Sequence, residues 1–165
     1  MTDLPLPAAV LWDLDGTLVD TEPAWVEAEI ALVTKYGGQW TAEDGEQMIG
    51  SALPNAAAHL RSRGVEGSDD EIIGFLIERV LVTLAAGVPW QPGAHELLAT
   101  LRDAGVPCAL VTMSYRDMAD QIVAGAPEGV FSAVVAGDEV THGKPHPEPY
   151  LRGAELLGVD VRRCV

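Results

Sequence analysis

Residues 10–20 read VLWDLDGTLVD, and this stretch decides how the rest of the chain is interpreted. A short apolar run ends in two carboxylates and is followed by Gly16, which is typical of a buried strand that stops at the edge of a sheet. Side chains two residues apart in an extended backbone point to the same face. We therefore expect Asp13 and Asp15 to project together, with Leu14 packed away from them.

The two carboxylates need a neighbouring cation, because like charges a few ångströms apart oppose each other's ionisation. Mg²⁺ is suited to this place, since it prefers oxygen ligands and is commonly held by one or two carboxylates together with substrate phosphate. The alternative is conformational, because Asp-Gly pairs are frequent in turns that leave a strand. The pair of aspartates alone leaves both interpretations open.

The composition describes an acidic chain with enough apolar residues for a folded core. A length of 165 residues fits one domain, or one core with a modest insertion, and a hydrophobic content of 48% argues against disorder. The chain has 25 acidic and 10 basic residues, for a net charge of −15. Long-range repulsion by this charge disfavours nucleic acids and anionic membranes as partners.

Targeting signals and cysteine motifs are not apparent in the sequence. The first residues contain Asp3, Pro5 and Pro7 without a basic cluster, unlike a secretory leader, and we expect them to belong to the mature protein. No apolar run approaches the roughly 18 residues of a membrane span. Cys108 and Cys164 suggest neither a disulfide framework nor a zinc motif. These features predict a cytoplasmic protein.

Residues 20–87 show helical patterns without an intervening strand. Thr21 is expected to cap a first helix whose apolar face contains Val26, Ile30 and Val33. Three further helices are predicted: a short one after the Thr41 and Asp44 capping pair, one over residues 54–63, and a strongly apolar one from the Ser68 and Glu71 capping box to Gly87.

From Pro92 onward, helical and strand patterns alternate, which predicts an α/β fold with a parallel sheet. The predicted elements are a helix containing Leu97, Leu98 and Leu101, a strand over 108–112, a helix capped by Ser114, a strand over 133–136, a helix over 147–157 and a strand that begins at Cys164. Ligands in such sheets gather at the carboxyl ends of the strands, where Thr112 is placed.

Two polar residues outside the first strand are candidates for binding an anion. Thr112 could donate its hydroxyl to a phosphate oxygen, although a threonine that ends a strand is more often structural. Lys144 lies in the stretch HGKPHPEPY, between a glycine and a proline, so its backbone should be stiff. Its charge could balance the two aspartates and a bound phosphate, although a surface lysine in a turn is the simpler interpretation.

Three stretches of the sequence resemble motifs of the haloacid dehalogenase superfamily. DLDGTLVDTEP resembles the first motif, particularly in the phosphatase and sugar-phosphate mutase branch, ALVTMS the second and GKPHPEPY the third. The resemblance implies a Rossmann-like α/β core over residues 1–18 and 88–165. It also implies an inserted α-helical cap domain over residues 19–87.

The resemblance also implies roles for individual residues. Asp13 corresponds to the nucleophile and Asp15 to the acid and base, and both would bind Mg²⁺. Thr112 and Lys144 correspond to phosphate-binding residues. The cap residues that would influence the choice of substrate are Trp25, Gly50 and Ser51.

The fourth motif of this superfamily, an acidic pair or triplet after the next core strand, has no counterpart in the 165 residues. Asp138 and Glu139 precede Lys144, and Asp160 precedes the strand expected at Cys164, so none of them replaces it. We expect a chain that ends at Val165 to have an unpaired edge on its first strand, to self-associate and to bind Mg²⁺ weakly.

The sequence therefore predicts a magnesium-dependent phosphatase that hydrolyses a small phosphorylated metabolite, such as a sugar phosphate, through an aspartyl phosphate. One alternative is a β-phosphoglucomutase-like phosphoryl transfer, for which the cap offers four cations: Lys35, Arg61, Arg63 and Arg79. Another is an inactive fragment or binding module. A dehalogenase is disfavoured, because a leaving halide does not need the acid that Asp15 provides.

Overall fold

The structure of the protein is a computed structural model that describes residues 6–165. The expectation about the first residues concerns Asp3 and Pro5, which lie outside this range. The described residues form three strands and seven α-helices: β1 (Val10–Trp12), α1 (Glu22–Lys35), α2 (Ala42–Met48), α3 (Leu53–Ser62), α4 (Asp69–Ala86), α5 (Ala94–Asp103), β2 (Cys108–Val111), α6 (Arg116–Gly125), β3 (Phe131–Val135) and α7 (Glu148–Leu156).

The chain divides into two compact units. One consists of the chain up to Val19 together with Trp90–Val165, and the other is Asp20–Pro89. The first unit contains the three strands and helices α5 to α7, while the second contains helices α1 to α4. We call them the α/β unit and the helical unit. The role of the helical unit as a cap domain remains a prediction.

The sheet of the α/β unit is parallel, with β2 between β1 and β3. All four residues of β2 are buried, as expected for a central strand. The predicted α/β fold is therefore confirmed.

The far edge of β1 is paired with the last residues of the chain. Cys164 forms a parallel bridge with Ala9, and the Leu11 N–H donates to the Val165 carbonyl at 2.7 Å. The strand predicted from Cys164 is present only as this isolated bridge, although it lies beside the first strand as predicted. The expectation that this edge of the first strand is unpaired is wrong, because Ala9 and Leu11 are hydrogen-bonded to Val165. These contacts place β1 between β2 and the end of the chain.

The helical unit contains both of the predicted capping boxes. The Thr41 hydroxyl accepts from the Asp44 N–H at the start of α2, and the Ser68 hydroxyl accepts from the Glu71 N–H at the start of α4. In each box the acidic side chain accepts the N–H of the capping residue in return. Thr21 occupies the N-cap position of α1, but its side chain makes no capping hydrogen bond.

The predicted apolar face of α1 is only partly correct, because Val33 is fully buried but the other two residues are not. Ile30 is 44% exposed, and Val26 is only partly buried. Helix α1 packs mainly against α4, and this packing determines which of its faces is covered. The buried residues of α1 are Ala24, Ala28, Glu29, Leu32 and Val33. Two of these residues are alanines and one is a glutamate, which a search for large apolar side chains does not select.

Within the part of the chain that the structure describes, no helix combines the length and the apolar character required to cross a membrane.

Candidate active site

The chain makes a tight turn immediately after β1, and this turn presents the two aspartates. The Leu14 side chain is fully buried, as predicted, and the Leu14 carbonyl accepts the N–H groups of Thr17 at 3.1 Å and Leu18 at 2.9 Å. Gly16 has φ = +76°, a conformation that other residues rarely adopt. The turn therefore fixes Asp13 and Asp15 at the carboxyl end of the first strand.

Asp13 has partners on both of its carboxylate oxygens. The Thr17 hydroxyl donates to Oδ2 at 3.0 Å, and the Lys144 ammonium forms an ion pair with Oδ1. The Asp13 side chain is nevertheless 37% exposed. This carboxylate is therefore positioned by the protein and remains open to a molecule from solution. Thr17 lies within the first motif, but the sequence analysis assigned it no role.

Lys144 is held from several sides, although it lies in a loop. Its ammonium also donates to the Val111 carbonyl at 2.8 Å and lies 4.9 Å from the centre of the Tyr150 ring. Its backbone N–H donates to the Met113 sulfur at 3.1 Å. Only 18% of the side chain is exposed. Lys144 is therefore a fixed positive charge at the end of the sheet, rather than a solvated surface lysine.

Asp15 is bound by two hydroxyl groups from the end of β2. The Ser114 hydroxyl donates to Asp15 Oδ2 at 2.6 Å, and the Thr112 hydroxyl lies 3.4 Å from the same oxygen. Thr112 and Ser114 are almost completely buried. The Thr112 hydroxyl also accepts the Ser114 N–H at 2.9 Å, which ties the two residues together.

The prediction that Ser114 caps the following helix is wrong. Helix α6 begins at Arg116 with Tyr115 at the N-cap position, and the Ser114 hydroxyl forms no capping bond there. The Ser114 hydroxyl instead contacts Asp15, which lies 99 residues earlier in the chain. A contact over this separation leaves no local pattern in the sequence. Ser114 is thus a residue of the site that sequence reasoning missed.

The loop after β2 packs tightly against the segment that follows β3. A Cβ atom added to Gly137 would lie 2.1 Å from the Met113 carbonyl oxygen, so a side chain has no room there. The Gly137 N–H also donates to the Ser114 carbonyl at 2.9 Å. Gly137 therefore allows the close approach that fixes the position of Ser114.

The acidic residues that follow Gly137 are engaged in contacts with Arg116. The Arg116 guanidinium donates to both oxygens of Glu139 at 2.6 Å, and the Arg116 N–H donates to Asp138 at 3.0 Å. Burial opposes the charge of Glu139, but the hydrogen bonds from Arg116 and from the Ala136 N–H outweigh it and lower the pKa of Glu139.

The residues predicted to influence substrate choice lie in the helical unit. Trp25 is part of α1, while Gly50 and Ser51 form the turn after α2, where Gly50 has φ = +70° and the Ser51 N–H donates to the Met48 carbonyl at 2.9 Å. Their contribution to substrate recognition remains a prediction, as do the catalytic and binding roles of the other predicted residues.

A family model described as haloacid dehalogenase-like hydrolase matches residues 7–165 of the chain. Hexitol phosphatase A of Escherichia coli is 32% identical over 164 residues, covering 94% of this chain and 71% of that protein. A phosphorylated carbohydrates phosphatase of Thermotoga maritima is 30% identical over 162 residues, covering 95% of this chain and 74% of its own length.

Among solved structures, CbbY of Rhodobacter sphaeroides in complex with xylulose-(1,5)bisphosphate has the same fold. It matches with a TM-score of 0.84 at 24% identity, over 97% of this chain and 76% of that one. At this level of identity, the match concerns the fold alone. It agrees with the parallel sheet described above.

Proposed function

The chain belongs to the haloacid dehalogenase-like hydrolase family, and we propose that it is a magnesium-dependent phosphatase that acts on a small phosphorylated carbohydrate through an aspartyl phosphate. The prediction of a phosphoric monoester hydrolase is confirmed at the level of the family. The observation that carries the finer proposal is the exposed Asp13 carboxylate, paired with the fixed Lys144 ammonium at the end of the sheet.

In the first step, an oxygen of Asp13 attacks the phosphorus atom of the substrate, and the bond to the leaving oxygen breaks. Asp15 donates a proton to the leaving alkoxide, so the alcohol departs as a neutral molecule. The Ser114 hydroxyl donates to Asp15 Oδ2 and holds the carboxyl group in position for this transfer. The product of this step is a phosphoryl group bound to Asp13.

In the second step, water attacks the same phosphorus atom and releases inorganic phosphate. Asp15 is now a carboxylate and accepts a proton from the water, which restores the acid form for the next substrate. The Lys144 ammonium balances the negative charge on the phosphoryl oxygens in both steps, because charge stabilisation is a major part of phosphoryl transfer. The Thr112 hydroxyl is the second phosphate-binding group of the proposal.

The carboxylate of Asp13 fits Mg²⁺, since this ion prefers carboxylate oxygens and Asp13 is open to solvent. Asp13 would hold the ion, together with Asp15 in its ionised form. When bound, Mg²⁺ neutralises charge on the phosphoryl oxygens. The Lys144 ammonium contacts Asp13 directly and is a second positive charge at this place.

The names of the relatives support a phosphorylated carbohydrate as the substrate. We propose that the helical unit acts as a cap and selects this substrate through Trp25, Gly50 and Ser51. Replacing Trp25 or Ser51 by alanine should then change the ranking of sugar phosphates more than it changes the hydrolysis of p-nitrophenyl phosphate. Equal losses on all substrates would contradict a selective cap.

The mutase alternative needs cations of the helical unit to bind a second phosphate. Each of the four cations in this unit already has a partner within it: Arg61 pairs with Asp69, Arg63 pairs with Asp44, and Lys35 and Arg79 lie over the ring of Phe75. These contacts favour hydrolysis over transfer to a second sugar phosphate.

A cytoplasmic location is also part of the proposal. Cys108 and Cys164 are both free thiols, which suits a reducing compartment. Cys108 is buried, and burial raises the pKa of its thiol, so this residue should be unreactive.

The proposal is tested by measuring phosphate release from a panel of sugar phosphates and from p-nitrophenyl phosphate, with Mg²⁺ and after its removal by EDTA. Because weak binding of Mg²⁺ is expected, the ion is supplied in excess, and we expect turnover that requires Mg²⁺ and is greatest for a sugar phosphate. An inactive binding module would instead bind phosphate without turnover, and the absence of phosphate release from every ester would overturn the proposal.

A further inference from the structure

A second group of potential metal ligands lies in the α/β unit, in the segment around Lys144. His142, His146 and Glu148 can each bring one ligand atom to within 4.8 Å of the other two. The first two are loop residues, and Glu148 is the first residue of α7. We propose that these three residues form a binding site for a divalent transition metal of the zinc class.

The spacing of the ligand atoms is close to that of a zinc site. Glu148 Oε2 lies 2.8 Å from His142 Nδ1 and 3.9 Å from His146 Nδ1. Bond lengths of about 2.0–2.2 Å to a tetrahedral zinc ion place neighbouring ligand atoms about 3.3 Å apart. The two observed distances bracket this value, so small side-chain movements are sufficient. Two histidines and one glutamate also leave a coordination position for water.

The carboxylate of Glu148 is oriented by backbone groups. The Thr141 N–H donates to Oε1 at 2.7 Å, and the His142 N–H donates to Oε2 at 3.0 Å. Such outer partners fix the direction of a metal ligand and strengthen a site. Together with the His142 ring, they also hold the pKa of Glu148 below its ordinary value, so the carboxylate is available in its charged form.

The ring nitrogens can take the forms that bind a metal. His146 Nδ1 accepts the Glu148 N–H at 3.2 Å, so in the neutral ring this nitrogen carries a lone pair. His142 Nδ1 donates to Glu148, because a carboxylate can only accept. A metal ion would bind Nδ1 in the other neutral tautomer of His142, in which the single ring proton lies on Nε2 instead of Nδ1.

The site is accessible and is separate from the aspartates. The side chains of His142 and His146 are 62% and 51% exposed, while that of Glu148 is 28% exposed. Imidazole ligands favour zinc, nickel and copper, whereas Mg²⁺ prefers oxygen ligands. An excess of Mg²⁺ should therefore occupy the aspartates without competing for this site.

Calorimetric titration of the tag-free protein with Zn²⁺, in the presence of excess Mg²⁺, tests the proposal. We expect one Zn²⁺ per chain. H142A, H146A and E148Q should each weaken Zn²⁺ binding at least about tenfold, because a loss of this size already follows from removing a residue that only hydrogen-bonds to a metal ligand. The control H95A removes another exposed histidine of the same unit, which contacts Trp90 instead. H95A, C164S and D13N should bind like the parent protein.

Circular dichroism of each variant checks that the exposed substitutions leave the fold intact. Absence of Zn²⁺ binding by the parent protein would overturn the proposal, as would equal affinity in H142A and H146A. Loss of binding in D13N would place the ion at the aspartates instead. Because the measurement is of binding, its result does not depend on whether the protein is a phosphatase.

Discussion

Two carboxylates, one in each unit, are paired with cations in opposite ways. Asp44 of the helical unit is fully buried. Its carboxylate accepts hydrogen bonds from the Thr41 N–H at 2.9 Å and the Thr41 hydroxyl at 2.7 Å, and from His59 Nε2 at 2.8 Å and Arg63 Nε at 2.7 Å. Asp13 of the α/β unit contacts one hydroxyl and one ammonium and remains 37% exposed. The first carboxylate is closed to any further ligand, whereas the second is open.

The difference separates a structural carboxylate from a reactive one. Burial opposes the charge of Asp44, but hydrogen bonds from Thr41, His59 and Arg63 outweigh it and hold the pKa of Asp44 well below its ordinary value. This network joins the start of α2 to α3 and the residue after it, so it stabilises the helical unit. The Asp13 carboxylate is balanced by one fixed cation and is open to solvent, so it can instead contact a substrate.

The largest expected effect is the loss of activity in D13N, because an amide is a poor nucleophile. We expect phosphate release to fall at least about 10³-fold, equivalent to about 4 kcal/mol in the activation barrier. The free energy of unfolding should change by no more than about 1 kcal/mol, since the lost ion pair is partly exposed. Steady-state assays and urea unfolding measure the two quantities. Activity within about tenfold of the parent would exclude Asp13 as the nucleophile.

D44N is the matched variant, with the opposite expectation. It leaves Arg63 and His59 facing a neutral amide, so it should cause the largest decrease in Tm among these variants. Its hydrolysis of p-nitrophenyl phosphate at a temperature where it is folded should stay close to that of the parent. A D44N protein that is as stable as the parent but inactive would show that Asp44, and not only Asp13, has a role in the reaction.

The pH dependence of stability gives a second test at Asp44. Because its pKa is lower in the folded protein, its contribution to stability is fully present above the ordinary value of 3.8 and is lost as the pH falls toward the folded value. Urea unfolding from pH 6 to pH 2 should therefore show a loss of stability in the parent that is smaller in D44N. Parallel curves for the two proteins would contradict this.

A smaller effect is expected for S114A, which removes the hydroxyl that holds Asp15. We expect kcat to fall about tenfold, a part of the roughly 10²–10⁴-fold that an acid and base supplies, with little change in KM. S132A is a matched control, because Ser132 is an exposed serine of the same unit. A rise in KM at unchanged kcat would instead assign Ser114 to substrate binding.

The last expected effect is on stability rather than on activity and concerns Glu29, a buried carboxyl of the helical unit. Burial and, to a lesser extent, the charge of Glu22 raise the pKa of Glu29 to about 7. The folded protein thus binds an extra proton between about pH 4.5 and 7, and stability falls as the pH rises through this range. E29Q should be more stable than the parent by about 1–2 kcal/mol at pH 8, a difference that disappears near pH 5. If the difference in stability between E29Q and the parent were the same at all pH values, the titration of Glu29 would not be its cause.

The features that the sequence predicted correctly depend on neighbouring residues or on a specific motif. Both capping boxes join residues three positions apart, and the parallel sheet follows from the alternation of strand and helix patterns. The pairing of Asp13 with Lys144 spans 131 residues, and the resemblance to a family placed both in one site. Periodicity alone would have left each of them as a surface residue.

The errors concern contacts that arise only when the chain is folded. The Ser114 hydroxyl donates to Asp15 and does not cap the following helix. In α1, which packs against α4, Ile30 is exposed while Ala28 and Glu29 are buried. A buried glutamate cannot be predicted from helical periodicity, because its charged form is strongly disfavoured away from water.

The central claim is that Asp13 becomes phosphorylated during turnover. The direct measurement is to quench the protein in acid while it hydrolyses a sugar phosphate, reduce acyl phosphates with borohydride and locate the modified residue by mass spectrometry. We predict conversion of Asp13 to homoserine in the parent protein and in D44N. Rapid phosphate release without modification of Asp13, or modification of another carboxylate, would contradict the account.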